Sequence, residues 1–285
     1  MSILKKMKSK LSTTVCSTLF YGVDLKKAYS GTSIVGGLLK NKTVLVTGGA
    51  SGIGLAIAQR YLLEGCNVII SGRNEAKLQA AVSELEKNET QSLLYEIVDN
   101  LDAKALEKNI PSIIERHFIE IWINCAGVFT DVDRAKRFRS VPCDVFENVF
   151  NTNLKSTYLI SCLVADSMVE RSINGQIINI ASICGLSPCY GVTPYGLSKT
   201  GVIALTRELK EKYRNKVIFN CVAPGSVATS MGHKKINDNI SALGTKATRH
   251  IAMPEEIASV VAFISGPIGK YLKDSVVASA AEKFY

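Results

Sequence analysis

No C-x-x-C pair and no regular spacing occur among the eight cysteines of this 285-residue chain. That gives no sign of a disulfide frame or a thiolate metal site and points to a reduced, cytoplasmic setting. Internal repeats and low-complexity tracts are missing. So is a continuous apolar run of the length a membrane span needs, and no A-x-A cleavage site marks a secretory leader. Acidic residues are scarce at the start: residues 1–42 hold eight lysines and one aspartate, so +7 of the formal +9 charge precedes the rest of the chain. The remainder is nearly balanced, which argues against a nucleic-acid surface there. Residues 1–40 are therefore read as a flexible basic extension, a solvated arm or partner-binding tail in preference to an organelle import signal, and 41–285 as one domain.

Hydrophobic residues make up 47 % of the chain, in apolar strands that alternate with helical stretches. Strands are expected near Thr43–Thr47, Asn67–Ser71, Ser92–Val98, Glu120–Asn124, Gln176–Ala181 and Val217–Val222, with a short last one near Ser275–Ser279. This alternation predicts an α/β fold, a Rossmann-like doubly wound parallel sheet covered on both faces. A long helix is expected over about Asp144–Arg171. Cys66, Cys125, Cys162 and Cys221 sit in apolar stretches and read as small buried hydrophobes. Cys184 and Cys189 read as pocket lining.

The first strand runs directly into Gly48-Gly49-Ala50-Ser51-Gly52-Ile53-Gly54, and a helix follows. Strand, glycine turn and helix start place a pyrophosphate on backbone N–H groups, though a plain tight turn has the same residues. Further on, Tyr195 and Lys199 stand four apart, on one face of a helix. A free tyrosine keeps its proton to about pH 10; a fixed ammonium favours the phenolate, and a three-unit drop corresponds to roughly 4 kcal/mol. Such a tyrosine can exchange a proton with a substrate hydroxyl near neutral pH. A surface pair would show the same spacing.

With Thr47-Gly48-Gly49-Ala50-Ser51-Gly52-Ile53-Gly54, Asn124-Cys125-Ala126-Gly127, Asn153, Ser182, Tyr195 with Lys199, and Pro224-Gly225 in this order, the chain resembles the short-chain dehydrogenase/reductase family in its shorter, single-domain branch. The resemblance spans about Thr43 to Ile264. It implies reversible hydride transfer between a secondary alcohol and a ketone. Tyr195 would be the acid/base, Lys199 its pKa-lowering partner and ribose ligand, Ser182 the group that orients the carbonyl. Asn153 would complete a proton relay from a kinked turn that holds a water. Gly48, Ser51, Gly52, Ile53 and Gly54 would cradle the pyrophosphate, and Asp99 would contact the adenine. Asn124, Ala126 and Gly127 would stabilise the sheet and line the adenosine side. Pro224, Gly225, Val227 and Thr229 would bind the nicotinamide carboxamide. No metal is implied.

Cofactor choice depends on the end of the second strand. Gly72 stands where NAD-users place a carboxylate, and Arg73 after it suits a 2′-phosphate through charge-assisted hydrogen bonds. NADP(H) is favoured and NAD(H) is possible; an arginine that merely opens the next helix is the other reading. Two segments are expected to set substrate choice. One is the basic stretch Ser230 to Met253, long enough for a lid. The other is Arg134-Ala135-Lys136-Arg137-Phe138-Arg139, whose cations are either a solvated surface or a mouth for an acidic substrate. A 3-oxoacyl thioester, a steroid, a sugar or polyol, and a small carbonyl all remain open. The ending lacks the family's Asp-Gly-Gly turn, so a homodimer through the two long helices is expected more firmly than a homotetramer. The rival readings are a catalytically silent cofactor-binding regulator or scaffold, and a nucleotide-sugar epimerase.

Overall fold

The computed structural model describes residues 39–129, 141–187, 192–229, 231, 251–266, 271–272 and 276–279. The basic extension up to residue 38, the 134–139 cation run, Cys189, nearly all of 230–250 and the tail 280–285 lie outside the described residues. The elements in chain order are β1 (Thr43–Thr47), α1 (Gly52–Leu63), β2 (Asn67–Gly72), α2 (Glu75–Glu84), β3 (Leu93–Ile97), α3 (Ala103–Arg116) and β4 (Ile121–Asn124). Then follow α4 (Cys143–Phe150), a π-helical turn (Asn151–Lys155), α5 (Ser156–Glu170), β5 (Gln176–Ile180), a 3-10 turn (Ile183–Gly185), α6 (Thr193–Lys212), β6 (Ile218–Pro224), α7 (Pro254–Ser265) and β7 (Val276–Ser279).

All seven strands form one parallel sheet in the order β3-β2-β1-β4-β5-β6-β7. The Rossmann-like doubly wound fold read from the alternating pattern is thus what the chain forms. The apolar strand residues explain why: Val44, Leu45 and Val46 of β1 are buried on both faces, which suits the centre of a parallel sheet. Along each strand the side chains alternate between two cores. Val44, Val46, Val68, Ile70, Ile121 and Ile178 pack with α1 and α7 residues such as Ile57, Tyr61, Ile257 and Val261. Leu45, Ile69, Trp122, Ile177 and Phe219 pack on the opposite face with Leu106, Ile113, Ile160, Val164 and Leu209 of α3, α5 and α6.

Strand order reverses between β1 and β4, and in open parallel sheets ligands lie outside the carboxyl ends of the strands at such a point. Two sequence expectations are adjusted. Strand β6 continues through Pro224 because β7 pairs with it from Cys221 to Pro224, although Pro-Gly reads as a stop. The helix expected over 144–171 is two helices separated by the π-turn at Asn151–Lys155.

A polar network runs through the α5/α6 face. Trp122 Nε1 donates to Asn124 Oδ1 at 3.0 Å; Asn124 Nδ2 donates to Asn179 Oδ1 at 2.8 Å and Ser161 Oγ at 3.0 Å. Asn179 Nδ2 then donates to Thr206 Oγ1 at 2.9 Å. On the other face Gln176 Nε2 donates to Asn220 Oδ1 and to the Ile264 carbonyl, both at 2.8 Å. Low local dielectric makes such networks costly to break. Asn179→Ala removes the link between Asn124 and Thr206. It is expected to lower the unfolding free energy by roughly 1–3 kcal/mol, read as a lower urea midpoint at unchanged slope.

Candidate active site

The turn after β1 depends on the absence of side chains. Gly48 and Gly52 have φ of 68° and 54°, in the left-handed region. A Cβ on Gly48 would lie 2.9 Å from the Ala126 Cα, and one on Gly54 would lie 2.3 Å from the Gly48 carbonyl oxygen. Two backbones and a helix start therefore meet in a space that only glycine permits. Ser51 is the N-cap of α1 and makes no side-chain capping bond, and the first turn has no acidic residue. The leading N–H groups of α1, including those of Ile53 and Gly54, are thus left by the cap for an anion. A Cβ on Gly52 would touch Thr229 Cγ2 at 3.2 Å, so the loop after β6 borders the same turn. These features fit a pyrophosphate.

Thr47 closes the crevice from below. Its hydroxyl donates to the Ile123 carbonyl at 3.3 Å and accepts from Cys125 N at 3.0 Å and Ala126 N at 3.1 Å. The loop after β6 is held in turn: Gly225 N donates to the Ser279 carbonyl at 3.0 Å, Val227 bridges Ala252, and Thr229 N donates to the Val227 carbonyl at 2.8 Å.

The Tyr195–Lys199 pair lies in the first two turns of α6. Lys199 Nζ donates to the Ile180 carbonyl at 2.8 Å and lies 5.7 Å from the centroid of the Tyr195 ring. Burial pushes the Lys199 pKa down, with Cys125 and Cys221 acting the other way. The same burial raises the Cys125 and Cys221 thiols to about 12, in keeping with unreactive, hydrophobic cysteines. Ser182, two residues past β5, caps the 3-10 turn, where its hydroxyl accepts from Cys184 N at 3.2 Å. That turn presses on α6: a Cβ on Gly185 would lie 2.6 Å from the Lys199 carbonyl carbon, and Thr200 Oγ1 donates to the Gly185 carbonyl at 3.1 Å. Ser182, Tyr195 and Lys199 are thus drawn into one neighbourhood.

Asn153 joins them from the π-turn. Fully buried, it clamps one residue from both sides: Val128 N donates to its Oδ1 at 2.8 Å, and its Nδ2 donates to the Val128 carbonyl at 2.9 Å. The same Nδ2 donates to Ser198 Oγ at 3.1 Å, and Ser198 Oγ donates to the Tyr195 carbonyl at 2.7 Å. A Cβ on Gly127 would lie 3.2 Å from Asn153 Oδ1 and 3.5 Å from Lys199 Nζ.

The remaining expected residues are less central. Asn124 spends its side chain inside the sheet network. Asp99 is exposed and accepts from Leu101 N at 3.0 Å, while Asn100 Nδ2 donates to Ser156 Oγ at 3.2 Å. Arg73 is exposed and lies ahead of Asn74, the N-cap of α2, so it does not itself open that helix. Sequence reasoning gave no part to Thr47 beyond its place in the glycine motif, and none to Ser198 or Phe129.

The family described as short chain dehydrogenase matches residues 42–240. The chain belongs to the short-chain dehydrogenase family. Among its curated relatives is a 3-oxoacyl-[acyl-carrier-protein] reductase of Chlamydia trachomatis, 33 % identical over 245 residues, covering 85 % of this chain and 96 % of that one. Another is the dehydrogenase/reductase SDR family member 4 of Bos taurus, 31 % identical over 247 residues, covering 85 % and 87 %. A solved structure of an actinorhodin polyketide ketoreductase with NADPH superposes with a TM-score of 0.73 at 26 % identity, covering 84 % of this chain and 95 % of the other. This short-chain dehydrogenase is thus an oxidoreductase acting on CH–OH groups with a NAD(P) cofactor. No helix among the described residues is long and apolar enough to cross a membrane.

Thr47→Val keeps the shape of the side chain and removes the acceptor of Cys125 N and Ala126 N. Unsatisfied buried amides cost roughly 1–3 kcal/mol each. A lower urea midpoint is expected for Thr47→Val, largely restored in Thr47→Ser.

Proposed function

We propose that the protein interconverts a secondary alcohol and a ketone with NADP(H), NAD(H) being the weaker cofactor. One observation carries this reading: the Lys199 ammonium lies beside the Tyr195 ring on the helix turn against which the Ser182 turn is pressed. Gly48, Ser51, Gly52, Ile53 and Gly54 would hold the pyrophosphate at the start of α1. Asp99, Asn124, Ala126 and Gly127 would border the adenosine half, and Pro224, Gly225, Val227 and Thr229 the carboxamide. The chemistry the cofactor supplies when bound is hydride transfer; the protein supplies position and proton transfer.

Tyr195 Oη gives a proton to the carbonyl oxygen in reduction and takes it from the alcohol in oxidation. Lys199 favours the phenolate through its charge and would hold the nicotinamide ribose. The Ser182 hydroxyl orients the substrate oxygen. Asn153 would complete the proton relay by shaping the π-turn that holds a water between Lys199 and bulk solvent. The burial of Lys199 bears on this, because an ammonium kept from solvent acts on its neighbour through a lower dielectric, although the same burial pushes its pKa down.

Arg73 supports the preference for NADP(H): exposed and ahead of the α2 cap, its guanidinium is available to a 2′-phosphate. The Chlamydia relative supports a 3-oxoacyl thioester as the first substrate class to test, ahead of steroids, sugars or polyols and small carbonyls. Residues 41–285 would act as one domain, in the cytoplasm and as a homodimer or homotetramer, with residues 1–40 as an appended basic extension.

NADPH oxidation across a panel of these carbonyls tests the reading. Tyr195→Phe is expected to lower kcat by about a hundredfold or more while NADPH affinity, read by fluorescence titration, changes little. Near-normal turnover by this variant would overturn the assignment. Arg73→Ala is expected to weaken NADPH binding by about tenfold to a hundredfold, and NADH binding far less. An unchanged NADPH/NADH ratio would leave Arg73 without a part in cofactor choice.

A further inference from the structure

Phe129 follows the clamped residue Val128, and its ring meets Tyr195 edge-on, with centroids 5.1 Å apart and planes at 75°. Edge-to-face contact at this distance is a favoured aromatic geometry. The backbone before it has little freedom, because both the N–H and the carbonyl of Val128 are held by Asn153. The phenyl group is therefore placed by the same side chain that ties the π-turn to Ser198 and α6. Tyr195 and Phe129 are both only half-buried, so the pair presents a partly open apolar surface around the phenol.

From this we infer that Phe129 is a specificity-determining residue, forming an apolar wall that selects ketones whose carbonyl carries an aliphatic or ring flank over ketones flanked by hydroxyl-bearing carbons. The inference rests on Tyr195 being the acid/base and narrows the substrate class of that site. A substrate oxygen within reach of the phenol brings the carbon next to its carbonyl toward the Phe129 ring. A phenyl edge offers neither hydrogen-bond acceptor nor replacement for lost water, so a hydroxyl placed there goes unpaired. An aliphatic carbon placed there instead leaves water for a matching surface. Discrimination against an unpaired hydroxyl is the kind of selection that a binding site performs well.

Matched ketones test it: 2-heptanone and ethyl acetoacetate for the apolar flank, 1,3-dihydroxyacetone and a 5-ketohexonate for the hydroxylated flank. Each is assayed by NADPH oxidation, with NADPH affinity measured separately by fluorescence. Wild type is expected to favour the apolar set in kcat/KM. Phe129→Ala is expected to shift the apolar-to-hydroxylated ratio toward the hydroxylated set by about tenfold, equivalent to about 1.4 kcal/mol. Phe129→Leu, which keeps an aliphatic wall, should retain most of the preference, and serves if the alanine variant folds poorly. An unchanged ratio in Phe129→Ala, or kcat/KM falling equally for both sets, overturns the inference. So does a wild type that turns over no apolar-flanked ketone. Tyr195-dependent reduction of the hydroxylated set alone would sink the Phe129 wall and leave the proposed reaction standing.

Discussion

Two backbones approach each other at the point where strand order reverses, and the rest of the molecule is arranged around that approach. Gly48 and Ala126 come so close that one Cβ would not fit between them. The parallel pairing of β1 with β4 is extended there by the Thr47 hydroxyl, which is shared by three main-chain groups at the end of β4. Because the chain leads from β1 to β2 on one side and from β4 to β5 on the other, the loops after these two strands part and leave a crevice. Helix α1 enters that crevice by its positive end. Binding geometry is in this way a product of sheet topology, with the glycines removing the atoms that would fill the gap.

Buried polar side chains tie the helices to the sheet. The chain of Trp122, Asn124, Asn179 and Thr206 ties two central strands to α6, the helix that bears Tyr195 and Lys199. Gln176 and Asn220 perform the corresponding task for α7 on the opposite face. These side chains hold helices at fixed heights relative to the strand ends, which apolar contact alone leaves adjustable. A buried lysine directed at the Ile180 carbonyl needs such fixed surroundings, since its charge is stabilised by few groups.

Much of this was legible in the sequence because it is local. The glycine turn shows itself through its neighbours, and Tyr195 and Lys199 through a spacing that any helix converts to proximity. The strands appeared as apolar runs; β6 was read short because Pro224-Gly225 looks like an end until β7 arrives to pair with it. Nothing in Asn151-Thr152-Asn153-Leu154-Lys155 signals a π-turn by composition; family likeness supplied the kink. Phe129 could not be found at all, since its meaning lies in a tyrosine far along the chain. Asn124 carried two expectations, sheet support and the adenosine side, and its side-chain hydrogen bonds all belong to the first.

The π-turn also sets the site apart from the hydrophobic core in helical phase. Each residue of an α-helix advances the side-chain direction by about 100°, whereas a π-turn takes up one residue more than an α-helical turn. That residue is absorbed within Asn151–Lys155, and Ile160, Val164 and Met168 of α5 meet the core. A one-residue deletion that relaxed the turn into plain helix would carry Asn153 away from Val128 while leaving this apolar stripe on the sheet. The bulge that presents the asparagine is thus separable from the helix that follows it: the chain could lose the one and keep the fold.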